Sequence, residues 1–251
     1  MTDNKLAFIV GGAGSIGRVI VKRLLADGLD VVVIGRSRAG LDELRAAHPA
    51  AATLVADMSD DSAIERIAEA AQGRLVQTVV HAVGLPVTGG VVDAEPGAIA
   101  EAVNIKCGGM VRLVRGVESG LTRGSRLIAI GGHYGFEPTA YAMGPGVANA
   151  ALPSLVRQLN LAYGERGITA HLLAPGPADT ARLHRVAENR GKKVGKTLEQ
   201  VLEDMRNESA IRSFVKPEEV AWMVSTLQAP EADALCGATV FMDGGRRRGL
   251  P

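Results

Sequence analysis

The run Gly11-Gly-Ala-Gly-Ser-Ile-Gly17 is the part of this chain whose chemistry is most legible. Glycines there allow a tight turn between a strand and a helix, close approach of backbone to a pyrophosphate, and close packing of the two elements. The helix N-terminus then offers free N–H groups and a favourable dipole to the phosphates. Gly11, Gly14, Ser15, Ile16 and Gly17 are therefore expected to hold a dinucleotide. At the end of the next apolar run, dinucleotide folds often set an acid against the adenosine ribose. Here the residues are Gly35-Arg36-Ser37-Arg38. No carboxylate is present to repel a 2′-phosphate, and the planar Arg36 guanidinium, with Ser37 beside it, suits one. The expected cofactor is NADP(H) in preference to NAD(H). The simpler competing reading makes Arg36 a solvated loop residue.

These residues need an α/β frame, and the chain has its pattern. Short β-branched runs alternate with helical periodicity, the signature of a parallel sheet covered on both faces. Strands are predicted at residues 6–10, 31–34, 53–55, 76–81, 126–130, 168–173 and 238–242. Ile16, Ile20 and Leu24 form a helical stripe that stops at Gly28, a cap. A short helix is expected from Leu41 to His48, and Ser62 and Glu65 have the spacing of a capping box. A long helical region follows Asp93, and another helix opens near Pro145. Pro217 starts a further one, at a position where its missing N–H costs little. No repeat, low-complexity tract or linker intervenes. The predicted fold is α/β: a single Rossmann-like domain over residues 1–251, its doubly wound parallel sheet of about seven strands carrying helices on both faces.

With those elements in order, the chain resembles the short-chain dehydrogenase/reductase family along nearly its whole length. The markers are the glycine turn, Asp57-Met58 after the third strand, and His81-Ala-Val-Gly84 where Asn-Asn-Ala-Gly is usual. Asn104, Pro175-Gly-Pro-Ala-Asp-Thr180, Pro217-Glu-Glu-Val-Ala and Met242-Asp-Gly-Gly245 complete the set. The resemblance implies that Asp57, Met58, Val83, Gly84, Asn149, Pro175, Gly176 and Thr180 also touch the cofactor. It further implies that Asn104 helps organise a proton relay.

The same resemblance exposes a departure. Counting back from Gly167-Ile168 without gaps, the family's Ser…Tyr-x-x-x-Lys site falls on Gly132, Pro145 and Asn149. In the family the tyrosine hydroxyl protonates the alkoxide, the lysine lowers its pKa and the serine orients the carbonyl. General acid catalysis of this kind contributes roughly 10²–10⁴-fold. Positioning alone can contribute about 7–11 kcal/mol, so hydride transfer is handicapped rather than excluded. Asn104, His133 and Tyr141 are the candidate catalytic residues; an imidazole at 133 could act as an acid near neutrality. Packing beneath a lid is the simpler reading for His133 and Tyr141, and more so for Tyr134.

Between residues 180 and 214 the alternation lapses, where the family places its substrate lid. The Arg and Lys residues from Arg182 to Lys196, set against Glu188, Glu199, Glu203 and Asp204, read as a solvated face more readily than as a site for an acidic substrate. A net charge of +1 gives no field for nucleic acid or a membrane, despite Arg246-Arg-Arg248. Two cysteines provide neither a disulfide framework nor metal spacing, and His48, His171 and His184 lie in separate elements, so no metal is expected. No signal-peptide pattern or apolar run of membrane length is present, and a cytoplasmic location is expected. The leading expectation is an NADP(H)-dependent oxidoreductase for a small carbonyl, imine or related substrate, forming a homo-dimer or homo-tetramer. The alternatives are a silenced subunit paired with an active paralogue, and a redox-neutral cyclase or isomerase working in the same pocket.

Overall fold

Strands rich in Val, Ile and Leu are stable only when both faces are covered, and here seven of them form one sheet. The computed structural model describes residues 5–87 and 89–249. Its strands are β1 (Leu6–Val10), β2 (Asp30–Gly35), β3 (Ala52–Val55), β4 (Val76–His81), β5 (Leu121–Ile130), β6 (Thr169–Pro175) and β7 (Thr239–Met242). All pair in parallel, in the order β3-β2-β1-β4-β5-β6-β7. The chain therefore winds outward from β1 in one direction and from β4 in the other. Between these two strands the connections leave on opposite faces, and the crevice at their C-terminal ends is where such sheets bind ligands.

Nine α-helices occur among the described residues: α1 (Ser15–Ala26), α2 (Arg38–Ala47), α3 (Ala63–Ala71), α4 (Gly97–Val103), α5 (Gly109–Val117), α6 (Met143–Tyr163), α7 (Ala181–Val194), α8 (Leu198–Asn207) and α9 (Pro217–Thr226). Successive strand residues point to opposite faces, so β1 divides its side chains between two cores. Leu6, Phe8 and Val10 join the core containing Met110, Leu113, Leu152 and Val156, while Ala7 and Ile9 join the one containing Ile20, Leu24, Val220 and Val224. Helices α3, α5 and α6 thus cover one face, and α1, α2 and α9 the other.

Several boundaries move from their sequence expectation for local reasons. Strand β5 begins at Leu121 rather than Arg126; Gly124, at φ +86°, and a register shift beside Val76 let the extra residues pair. Helix α2 begins at Arg38 because the Ser37 hydroxyl accepts from Gly40 N. The expected capping box at Ser62 does not form: Ser62 is itself helical and its side chain caps nothing. Asp60 does that work, its Oδ1 accepting from Ser62 N at 2.8 Å. The long helical region breaks into α4 and α5 around a π-turn, Asn104–Gly108. The interval from 180 to 214 is a helical hairpin, α7 and α8, with its own small core of Leu183, Ala187, Val201, Leu202 and Met205.

Candidate active site

The glycine turn is built as its composition demands. Gly11 sits at φ +78°, where a Cβ would also fall 2.8 Å from the Ala82 carbonyl. A Cβ on Gly17 would lie 2.2 Å from the Gly11 carbonyl, so only glycine lets α1 approach β1 this closely. Gly14 N donates to Gly11 O and closes the turn. Gly14 is also the N-cap of α1, with no side-chain cap and no acid in the first turn. The free N–H groups of α1 therefore open on the crevice beside β4, as an anion site requires.

On one side of that turn lies a pocket of about 140 Å³ lined by Gly11, Gly35, Arg36, Asp57, Met58, Val83 and Gly84, among others. Gly35 has no room for an acid without displacement, since even a Cβ there would stand 3.3 Å from Leu41 Cδ2. Arg36 is exposed and helps hold the Asp57 carboxyl below its ordinary range, although the hydrogen bonds from Ser59 N and Oγ contribute more. Ser37 is placed as the cap of α2 beside it.

On the other side lies a second pocket of about 180 Å³, sharing Val83, Gly84 and Leu85 with the first. Gly132, Pro145 and Asn149 all line it, with Ile16, Pro175, Gly176 and Thr180. A Cβ at Gly132 would come within 3.1 Å of Asn149 Nδ2, so these two positions are direct neighbours. The Asn149 side chain is buried, and its Oδ1 has no hydrogen-bond partner. Pro145 sits in the first turn of α6, where the absent N–H leaves no helical bond unmade. Among the described residues no carboxylate lines this pocket, and the polar side chains that do are Lys106, His133, Tyr134, Asn149, Thr180 and Arg182.

The three candidate catalytic residues fare differently. His133 is buried against the pocket, and burial, with Arg246 nearby, pushes its pKa down to about 4. It is a neutral imidazole near pH 7, so the expectation of an imidazolium acid there is corrected. Tyr141 does not line the pocket; its hydroxyl lies 3.0 Å from that of Tyr134, which does. The order of preference between these tyrosines is thus reversed, and burial beside Tyr141 raises the Tyr134 pKa. The Asn104 amide turns away, donating to Ser59 O at 3.1 Å and accepting from Arg112.

One pocket residue, Lys106, escaped sequence reasoning, and another, Arg182, was read with the solvated face. Lys106 is 4% exposed and donates from Nζ to the Ile130 carbonyl at 2.7 Å. Desolvation first, and Arg182 second, bring its pKa down to about 7. The available signal was its place four residues after Ala102 on a helical stripe that continues through Met110, Leu113 and Val117. Arg182, on α7, reaches back across the pocket to the Leu85 carbonyl. Its neighbours on the hairpin are paired outward instead, Lys192 with Glu188 and Lys196 with Asp204, in keeping with a solvated face.

Elsewhere, His81 is fully buried at the end of β4, and desolvation, with Lys106 second, lowers its pKa to about 3. His171 bridges Thr169 and the Leu235 carbonyl. Cys107 packs against the core and Cys236 is exposed. Among the described residues no cluster of His, Cys, Asp or Glu is placed to hold a metal ion, and no helix is long and apolar enough to cross a membrane.

Comparison with known proteins agrees with this geometry. The family model described as enoyl-(acyl carrier protein) reductase matches residues 11–247. The short-chain dehydrogenase/reductase eriH of Hericium erinaceus is 28% identical over 265 residues, covering 98% of this chain and 99% of the relative. The short-chain reductase protein NovJ of Streptomyces niveus is 26% identical over 260 residues, with 98% and 95% coverage. Among solved structures, a variant of actinorhodin polyketide ketoreductase with NADPH superposes with a TM-score of 0.88 at 24% identity over 99% of both chains.

Proposed function

The chain is a member of the short-chain dehydrogenase/reductase family, and on that premise we propose that it is an NADP(H)-binding oxidoreductase that reduces a small carbonyl, imine or related acceptor without the family's tyrosine acid. One observation carries the reading. Two adjoining pockets share Val83, Gly84 and Leu85, one lined by Gly11, Arg36 and Asp57 and the other by Gly132, Pro145 and Asn149.

The residues present fit a dinucleotide. The bare N-terminus of α1 and the glycine cradle would take the pyrophosphate, and Arg36 and Ser37 the 2′-phosphate of the adenosine ribose. Asp57 and Met58 would lie against adenine. At the far end, the partnerless Oδ1 of buried Asn149 would accept a hydrogen bond from the nicotinamide ribose, and Pro175, Gly176 and Thr180 would wall in the nicotinamide. When bound, the reduced nicotinamide supplies two electrons and one hydrogen to the acceptor. The chain orients the acceptor and excludes water, with α7 closing over the pocket through Leu183 and Arg182. Neither Pro145 nor Gly132 has a proton to deliver.

The test is a titration of the purified chain with NADPH, followed by single-turnover mixing of the complex with a panel of carbonyl and iminium acceptors. Saturable binding and a stoichiometric loss of reduced cofactor are expected. Binding without oxidation across the panel would count against the reductase reading.

A further inference from the structure

Lys106 is a buried cation with no carboxylate partner among the described residues. It enters the pocket from the π-turn Asn104–Gly108, and such turns recur at functional sites because the extra residue redirects side chains. Ile130, whose carbonyl it holds, lies at the end of β5, two residues before Gly132. The ammonium has three N–H groups and this contact uses one. A strut for Ile130 alone would need no cation, and burying an unpaired charge is costly.

We infer that Lys106 is the proton donor of this pocket, delivering a proton from its ammonium to the carbonyl oxygen of the substrate. The inference rests on the reductase reading above. Reduction of C=O to CH–OH adds an electron pair and two protons in total. The pair and one proton reach the carbon with the bound cofactor. The second hydrogen leaves Lys106 as a proton: an N–H bond breaks, an O–H bond forms, and the neutral amine regains a proton from water.

Elimination supports the choice. His133 is neutral at working pH and Tyr134 is pushed the wrong way for a donor. The Arg182 guanidinium does not give up its proton. Lys106 alone among the titratable groups lining the pocket changes charge near neutrality. The titratable and charged groups that face it are His81 from β4, Cys107 from its own turn and Arg182 from α7. Ionised Cys107 would raise it, but burial pushes the Cys107 thiol up and disfavours that charge; a lysine tuned by burial and a neighbouring cation is suited to proton transfer at neutral pH.

Two measurements test this. Side-chain ¹⁵N NMR of the lysine-labelled chain, with K106R to assign the signal, follows the ammonium itself; it is expected to titrate near neutrality, whereas titration near about 10, as in a free lysine, overturns the inference. Kinetics of K106Q and K192Q with NADPH and a reducible carbonyl form the second arm. K106Q is expected to lower kcat roughly 10²–10⁴-fold and to abolish the alkaline fall in rate, with NADPH affinity preserved, while K192Q, at an exposed lysine paired with Glu188 outside the pocket, leaves both intact. Should K106Q fail to fold, K106R, which keeps a donor for Ile130 but holds its proton, is expected to show the same loss. Reduction that survives in K106Q with an unchanged pH profile removes the Lys106 role alone. A wild-type chain that binds NADPH yet reduces nothing removes both that role and the reductase reading.

Discussion

Arg36 and His133 show how much one side chain decides. Gly35 stands at the strand end where dinucleotide folds often set an acid against the ribose, with Arg36 after it, and a Cβ on Gly35 would press on Leu41 Cδ2. A charged hydrogen bond contributes about 1.5–3 kcal/mol, so Arg36→Asp is expected to weaken NADPH roughly 10- to 100-fold. NADH affinity should change much less, and equilibrium binding of both nucleotides checks it. His133 is neutral well below pH 7, so His133→Asn is expected to leave the pH–rate profile of reduction between about pH 5 and 8 unshifted. An acidic limb that disappears in that variant would restore the imidazole as an acid. The glycine turn was legible because its backbone geometry depends on few residues. The roles of His133 and Tyr134 were not. Their chemistry follows from burial and from Tyr141 stacking edge-on at 5.8 Å, and neither is written in spacing.

At the scale of elements, the sheet was readable and the caps were not. All seven strands overlap the runs that period and β-branching mark, because a strand covered on both faces must be apolar throughout, though β5 starts five residues earlier than its apolar run. The start of α3 was misread because Ser62 and Glu65 have the right spacing, yet Asp60, two residues earlier, competes for the same N–H. Asp60→Ala is therefore expected to lower the thermal midpoint and Ser62→Ala to leave it unchanged; equal losses would reinstate the box. The π-turn was likewise hidden, and with it Lys106. A helix with one residue too many has no composition of its own, and the burial of the lysine against Ile130 comes from tertiary packing. In α7 and α8 most charges pair across the solvated face, so the hairpin was correctly read as a charged surface, with Arg182 the inward exception.

The molecule buries three of its five histidines as neutral rings, and this shapes its response to pH. In the folded chain His81, His133 and His171 titrate at about 3, 4 and 4, against 6.5 for an ordinary imidazole. The unfolded chain takes up protons below pH 6.5 while the folded one resists, so their contribution is complete above 6.5 and is lost as pH falls toward 4. Each unit of depression corresponds to about 1.4 kcal/mol. Lys106, lowered from 10.5 to about 7, has the same sign and makes stability rise between those values. Thermal midpoints across this range should climb from acid to mildly alkaline pH, and a maximum near pH 5 would contradict the assignment. The central claim is that a family groove selective for the 2′-phosphate has outlasted the family's serine, tyrosine and lysine at positions 132, 145 and 149. Its most direct measurement is parallel calorimetric titration of the purified chain with NADPH and NADH. NADPH bound at least about tenfold tighter, a difference of ~1.4 kcal/mol, is the expected result; no binding of either nucleotide, or tighter binding of NADH, would contradict it.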